Sequence, residues 1–433
     1  MNKEFHKKQN FFSFSDIDSA RKDRIMKFTS TEATPAPHVP PGVLRLTGAA
    51  KEDIPMYRIQ TMNKISPVGL NRFPSELYEV GDAVRDPQGI LVRSAKLLDL
   101  EFNPGLLAIA RAGVGVNNIP LDRCAAAGIP VFSTPGANAN AVKELVICAM
   151  LMGSRDIPGA IRWVREQAAS GVDVSTVVEK GKSAFIGPEL YKKTLGIIGL
   201  GAIGSIVANT AISLGMDVYG YDPFLSVDTA LRLDRHVHVV KDINDLYKRS
   251  DYITMHIHYT EKTAHMIDAD AIAAMKRGVR VINLARGEIV DDEAMLTALD
   301  TGMVAAYITD FPNNRLLTAP HVIAMPHLGA STPESEQNCA AMAVDTLRDY
   351  LESGNIRSSV NLPEMTMDRS GVQRLCVLHK NVPGMLANIT SLFGRDGVNV
   401  ENLSNKSRGD YAYTMVDLGS KVGDNVIEDV RRT

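Results

Sequence analysis

The sequence predicts an α/β protein with two doubly wound parallel-sheet domains and, after them, a small α+β domain. Three observations carry this. Short apolar runs alternate with helical patterns from about residue 56 to 150, a second such series runs from Thr194 to about Pro326, and the pattern changes again from about residue 372. Alternating strands and helices imply parallel sheets covered on both faces. A chain of 433 residues is in any case too long for one compact core.

Residues 1–55 are expected to be a flexible extension, because Pro35, Pro37, Pro40, Pro41 and Pro55 lie among small and polar residues. Order should begin at Met56-Tyr57-Arg58-Ile59. The runs Gly89–Val92, Leu107–Ala110 and Ile129–Phe132 read as buried strands, and Leu121–Gly128 as a short helix stopped by glycine. One long helical stretch is expected from Ala141 through Trp163 and beyond. The second series follows, then a helix over Glu336–Gly354, a linker near Ser358–Pro363 and the final unit.

Charge narrows the function classes. Lys and Arg number 47 against 50 Asp and Glu, a net −3 with no long basic run, so no nucleic-acid partner is expected. The four cysteines lie far apart, without a CxxC pair or a histidine at ligand spacing. Reduced thiols in a cytoplasmic protein, and no metal site, are the expectation. No apolar run approaches the roughly 18 residues that a membrane span needs, and the first 30 residues hold no apolar signal core.

Leu195-Gly196-Ile197-Ile198 leads directly into Gly199-x-Gly201-x-x-Gly204, and a helical stretch follows. The first glycine permits a tight turn, the second lets the backbone approach a pyrophosphate, and the third lets helix and strand pack closely. The helix N-terminus then faces the phosphates. A second strand, Asp217–Tyr221, ends at Asp222, placed to accept hydrogen bonds from the adenosine ribose and to repel a 2′-phosphate. NAD in a Rossmann-like domain is therefore expected, in preference to NADP.

Two further strands deliver reactive side chains. Arg280–Leu284 precedes Ala285-Arg286-Gly287, and a guanidinium at a strand's carboxyl end can grip a carboxylate through two hydrogen bonds. Val322–Pro326 precedes His327, whose imidazole can accept a hydroxyl proton. Taken singly, each has an ordinary structural reading as a turn-capping arginine or a structural histidine.

Together, the glycine loop, Asp222, the N-x-A-R-G-x-x-V-D run ending at Asp291 and Pro326-His327-x-Gly329-Ala330-Ser331-Thr332 resemble the D-2-hydroxyacid dehydrogenase family over about residues 56–360. The resemblance implies Arg286 as carboxylate anchor and His327 as acid/base. It implies cofactor contacts at Gly199, Gly201, Ala202, Ile203, Gly204, Asp222, Leu284, Ala285, Arg286, Asp310, His327, Gly329 and Ala330. It also implies a substrate-binding domain over 56–152, completed by about 328–360, and an NAD-binding domain over 153–327. One part departs: the glutamate that usually pairs with the histidine is absent from Phe311-Pro312-Asn313-Asn314-Arg315, which leaves Asp310 as the candidate catalytic carboxylate.

The loops at Val92–Lys96, Ala110–Asn118 and Ser133–Asn140 resemble the substrate loops of 3-phosphoglycerate dehydrogenases. They imply 3-phosphoglycerate as substrate, with Arg93, Ser94, Arg111, Gly115 and Asn140 binding it. Residues 372–433 resemble an ACT domain, through the turn His379-Lys380-Asn381-Val382-Pro383-Gly384, and stop short of its last strand. Serine is then an implied effector at His379, Asn381 and Asn399, and a homodimer or homotetramer is expected. Two other readings remain open at this point: a reductase of glyoxylate or another 2-keto acid, and an NAD-sensing corepressor or scaffold without turnover.

Overall fold

A computed structural model describes residues 56–433 and the backbone of Ile25–Thr29, which forms strand β1. The described chain divides into two compact units. One takes residues up to Thr134 and again from Cys339, and the other takes Pro135–Asn338.

The first unit opens on a five-stranded parallel sheet made of β2 (Tyr57–Met62), β3 (Tyr78–Gly81), β4 (Gly89–Val92), β5 (Ala108–Arg111) and β6 (Val131–Phe132), in the order β3-β2-β4-β5-β6. All four residues of β4 are buried, as an apolar run in a doubly covered sheet requires. β3 was not expected, since Tyr78-Glu79-Val80-Gly81 is too short and mixed to show a period. The helix Pro333–Ser353 returns to this sheet. Tyr57 donates to the Leu351 carbonyl at 2.8 Å, and the Phe132 and Tyr350 rings meet edge-on at 5.5 Å. Asn361 then accepts from the Val131 amide at 2.8 Å, so distant chain packs on the last strand of this sheet.

The second unit holds a seven-stranded parallel sheet: β7 (Thr194–Ile198), β8 (Asp217–Tyr221), β9 (Val237–Val240), β10 (Tyr252–Met255), β11 (Val279–Asn283), β12 (Val304–Thr309) and β13 (Val322–Ala324). Their order is β13-β12-β11-β10-β7-β8-β9. Apolar clusters cover both faces. Val146, Met150, Leu195, Ile197, Val207 and Val218 lie on one, and Ile198, Leu246, Ile253, Val281 and Met295 on the other. Each such side chain contributes about 1.5–3 kcal/mol by leaving water. The helix Ala139–Ser154 joins the first of these clusters, so the boundary between the units falls near residue 134, not near 152. The expected single long helix is two. It breaks at Arg155-Asp156, where Asp156 adopts φ +32° and caps Gly159, and Pro158 lies in the first turn of the next helix. Proline is tolerated there because the first-turn amides have no helical partner anyway.

The first unit ends in an antiparallel sheet of β14 (Gln373–Lys380), β15 (Val400–Arg408) and β16 (Tyr411–Leu418), carrying the helices Met385–Arg395 and Asp424–Arg432. Leu375, Val377, Ile389, Phe393, Val416, Leu418, Val426 and Ile427 form its core. Arg374 and Asp417 make a buried two-pronged ion pair at 2.6 and 2.7 Å, and Arg374 also donates to the Ser353 and Met367 carbonyls. The other neighbour of β14 is β1, and the sheet order is β1-β14-β16-β15. The expectation of a featureless extension over 1–55 is thus corrected at 25–29. The rest of that expectation lies outside the described residues.

Candidate active site

Every strand of the seven-stranded sheet runs the same way, so the loops after β7, β8, β10, β11, β12 and β13 leave one edge. The strand order reverses between β7 and β10, and ligands of open α/β sheets bind outside the carboxyl ends at such a point. Gly199, Asp222, Arg286, Asp310 and His327 all follow strands at this edge.

The loop after β7 is built for close approach. Gly199 has φ +91°, and a Cβ there would stand 2.6 Å from the His256 carbonyl oxygen. A Cβ on Gly204 would meet the Gly199 carbonyl, which is why helix and strand can cross so tightly here. A Cβ on Gly201 would meet nothing within 4 Å. That open space lies over the first turn of the helix Ala202–Ser213, which begins with Ala202 and Ile203 and has no side-chain cap. Uncapped amides beside free space suit a pyrophosphate. Asp222 accepts from the Leu200 amide at 2.9 Å and, through its other oxygen, from the Phe224 amide at 2.8 Å. Its carboxylate therefore fixes the glycine loop.

After β11, Asn283 is fully buried and organises the arginine loop. It donates to the Arg286 carbonyl at 2.8 Å and accepts from the Ala285 amide at 3.1 Å. Leu284 is buried beside it. The sequence contained this asparagine in its motif, but gave it no role. Arg286 is half-buried, and its guanidinium lies 5.8 Å from the centre of the Phe311 ring. The same ring packs on the His327 imidazole at 4.6 Å, tilted by 51°. Phe311 therefore stands against both reactive groups, a placement that no motif announced.

Asp310 is buried. One carboxylate oxygen accepts from the Gly329 amide at 2.9 Å, and the other has no partner. Burial raises its pKa above the ordinary carboxylate range, opposed by the amides of Gly329 and Leu328 and by the charge of His327. His327 itself is exposed, and Ser331 donates to its carbonyl at 3.2 Å. Gly329 is buried and Ala330 half-buried. Burial also pushes His256, whose carbonyl lies by Gly199, down to about 4.

In the other unit, Arg93 and Ser94 follow β4, and Arg111 ends β5. The Arg111 Nε donates to the Arg93 carbonyl at 3.1 Å, and Asn63 accepts from the amides of Ser94 and Ala95. Gly115 lies half-buried in the same loop region. Asn140 belongs to the second unit, where its amide is engaged by Lys143 and Glu144 of its own helix. In the C-terminal sheet, His379 Nε2 bonds Thr414 at 2.9 Å, and Asn381 donates to the Gly409 carbonyl. Asn399 bonds Glu401 and sits by Gly419, at the Gln373 end of β14. His379 is six residues further along that strand, roughly 20 Å away. The structure therefore does not bring the three effector candidates together within one chain.

Residues 147–329 match the D-isomer specific 2-hydroxyacid dehydrogenase, NAD binding domain. The chain is 36% identical over 326 residues to D-3-phosphoglycerate dehydrogenase of Synechocystis, covering 73% of this chain and 56% of that protein. It is 32% identical over 354 residues to the Escherichia coli D-3-phosphoglycerate dehydrogenase, covering 78% and 82%. It spans little more than half the length of several relatives, the Bacillus subtilis one included. Among solved structures, an NAD+-bound 3-phosphoglycerate dehydrogenase of Entamoeba histolytica superposes with a TM-score of 0.55 at 26% identity, over 71% of this chain and 99% of that one. D-mandelate dehydrogenase of Rhodotorula graminis shares the fold at 21% identity and a TM-score of 0.59, over 71% and 98%.

Proposed function

This chain belongs to the D-isomer-specific 2-hydroxyacid dehydrogenase family, and from that premise we propose that it oxidises 3-phosphoglycerate to 3-phosphohydroxypyruvate. NAD, when bound, supplies the acceptor for the hydride that leaves the hydroxyl-bearing carbon. The carrying observation is the grouping of Arg286, Phe311 and His327 on one sheet edge beside the glycine loop.

In this reading the Arg286 guanidinium holds the substrate carboxylate through parallel hydrogen bonds. His327 takes the hydroxyl proton as the C–H bond breaks, and returns it in the reverse direction. Asp310, beside His327, takes the role the missing glutamate would have had. The loops bearing Arg93 and Arg111 offer cationic groups for the phosphate. The glycines and Asp222 hold the dinucleotide, with Leu284 and Ala285 beside it.

The C-terminal sheet supports a second, regulatory reading in which serine is sensed. Because Asn399 lies far along the sheet from His379 and Asn381, an effector touching all three is held between two copies. The test is oxidation of NADH by phosphohydroxypyruvate, with and without millimolar serine. Saturable turnover supports the substrate assignment. NADH binding without turnover of this substrate, or faster turnover of glyoxylate, refutes it. A rate indifferent to serine leaves the C-terminal sheet without a sensing role.

A further inference from the structure

The two edges of the C-terminal sheet are treated differently. β15, at one edge, is irregular between Val400 and Asn402 and exposes Glu401, Lys406 and Arg408. A bulge and outward charges are the usual ways to make an edge unattractive to another strand. β14 has neither. Gln373 to Val377 are all buried, without proline or irregular pairing, and the charge of Arg374 is spent on Asp417. Left bare, such a strand offers a row of unpaired amides and carbonyls to any extended segment.

We infer that residues 25–29 are a closing strand for this edge, supplied by the same chain, which denies β14 to a second copy. β1 pairs antiparallel and without interruption, from Ile25 opposite Val377 to Thr29 opposite Gln373. It stops short of Leu378 to Lys380, which pair with β16, so the turn at His379 to Asn381 stays free of it. The 26 residues between Thr29 and Met56 reach up to roughly 85 Å when extended, so closure within one chain is sterically open. Any other strand entering beside β14 has to displace β1.

Two single prolines test the pairing in the full-length chain. Neighbouring residues of an edge strand point their amides alternately toward the sheet and away, and proline has no amide to give. Of Met26→Pro and Lys27→Pro, one should speed amide exchange in Gln373–Val377 at least about tenfold, and the other should leave it unchanged. Deletion of residues 1–29 should speed it further and produce concentration-dependent association beyond the parent chain's own assembly state in sedimentation. A peptide spanning residues 22–32 should reverse that association. Exchange in β14 indifferent to both prolines and to the deletion overturns the proposal.

The same-chain assignment has its own test. Met26→Cys stands opposite Cys376 in the register, and cross-strand Cα spacing lies within disulfide range. Oxidative refolding of mixed isotopically heavy and light chains should give linkage within chains only. Heavy–light linkage overturns closure in cis.

Discussion

The seven-stranded sheet and the C-terminal sheet are assembled by opposite rules. Strands β7 to β13 come from one uninterrupted stretch, each separated from the next by a helix or a loop, and their apolar clusters close with the helix Ala139–Ser154 just upstream. The C-terminal sheet instead takes its outer strand from some 350 residues away and leans a buried ion pair on the end of the helix Pro333–Ser353. In the first, chemistry is concentrated on one edge while the core is apolar. In the second, polar groups are built into the packing itself. Substitutions in the first should therefore change chemistry with the fold intact, and substitutions in the second should change the fold with the chemistry intact.

The sharpest test of this contrast is His327→Asn. Loss of the acid/base group should lower kcat by about 10²–10⁴-fold, with NADH affinity by fluorescence titration and the melting temperature nearly unchanged. Unfolding of this exposed-residue variant would break the comparison. Next is Arg374→Met, which leaves Asp417 buried without its partner and should cost about 3–5 kcal/mol of stability by denaturant titration. Its kcat, measured where it remains folded, should match the parent. Replacing the pair together, Arg374→Met with Asp417→Leu, should recover much of the loss, because the desolvated charge is then gone.

Arg286→Ala should raise KM for the hydroxy acid or its keto acid by about 10–100-fold, the worth of a charge-assisted hydrogen bond, and leave NADH binding intact. Equal loss of both would refute its assignment as carboxylate anchor. Smallest is Asp310→Asn. Loss of the carboxylate beside His327 should lower kcat by less than about tenfold, below the range for losing the acid/base group itself, and leave NADH affinity by fluorescence titration unchanged. A loss of NADH affinity at unchanged kcat would show that Asp310 serves the cofactor side alone.

The same contrast explains what could be read from the sequence. The glycine loop, Asp222, Arg286 and His327 were legible because each is fixed by a strand a few residues upstream, so spacing along the chain reports position in space. Phe311 was not legible. Its place between Arg286 and His327 depends on β11, β12 and β13 lying side by side, and an aromatic residue after a strand has no distinctive signature. The boundary near residue 134 was missed because the helix Ala139–Ser154 is apolar enough to serve either sheet, and only packing against β11 and β12 assigns it. β1 was hidden for a stronger reason. Ile25-Met26-Lys27-Phe28-Thr29 is an unremarkable alternating run whose partner lies at the other end of the sequence, and no local pattern encodes that distance.

That pairing has a consequence in time. On a ribosome adding roughly 5–20 residues per second, residues 25–29 emerge roughly 20–70 s before the strand that receives them. During that interval the catalytic sheet can be made and folded, while the segment that closes the last sheet remains without its template. A strand made early is thus among the last of the described strands to find its partner.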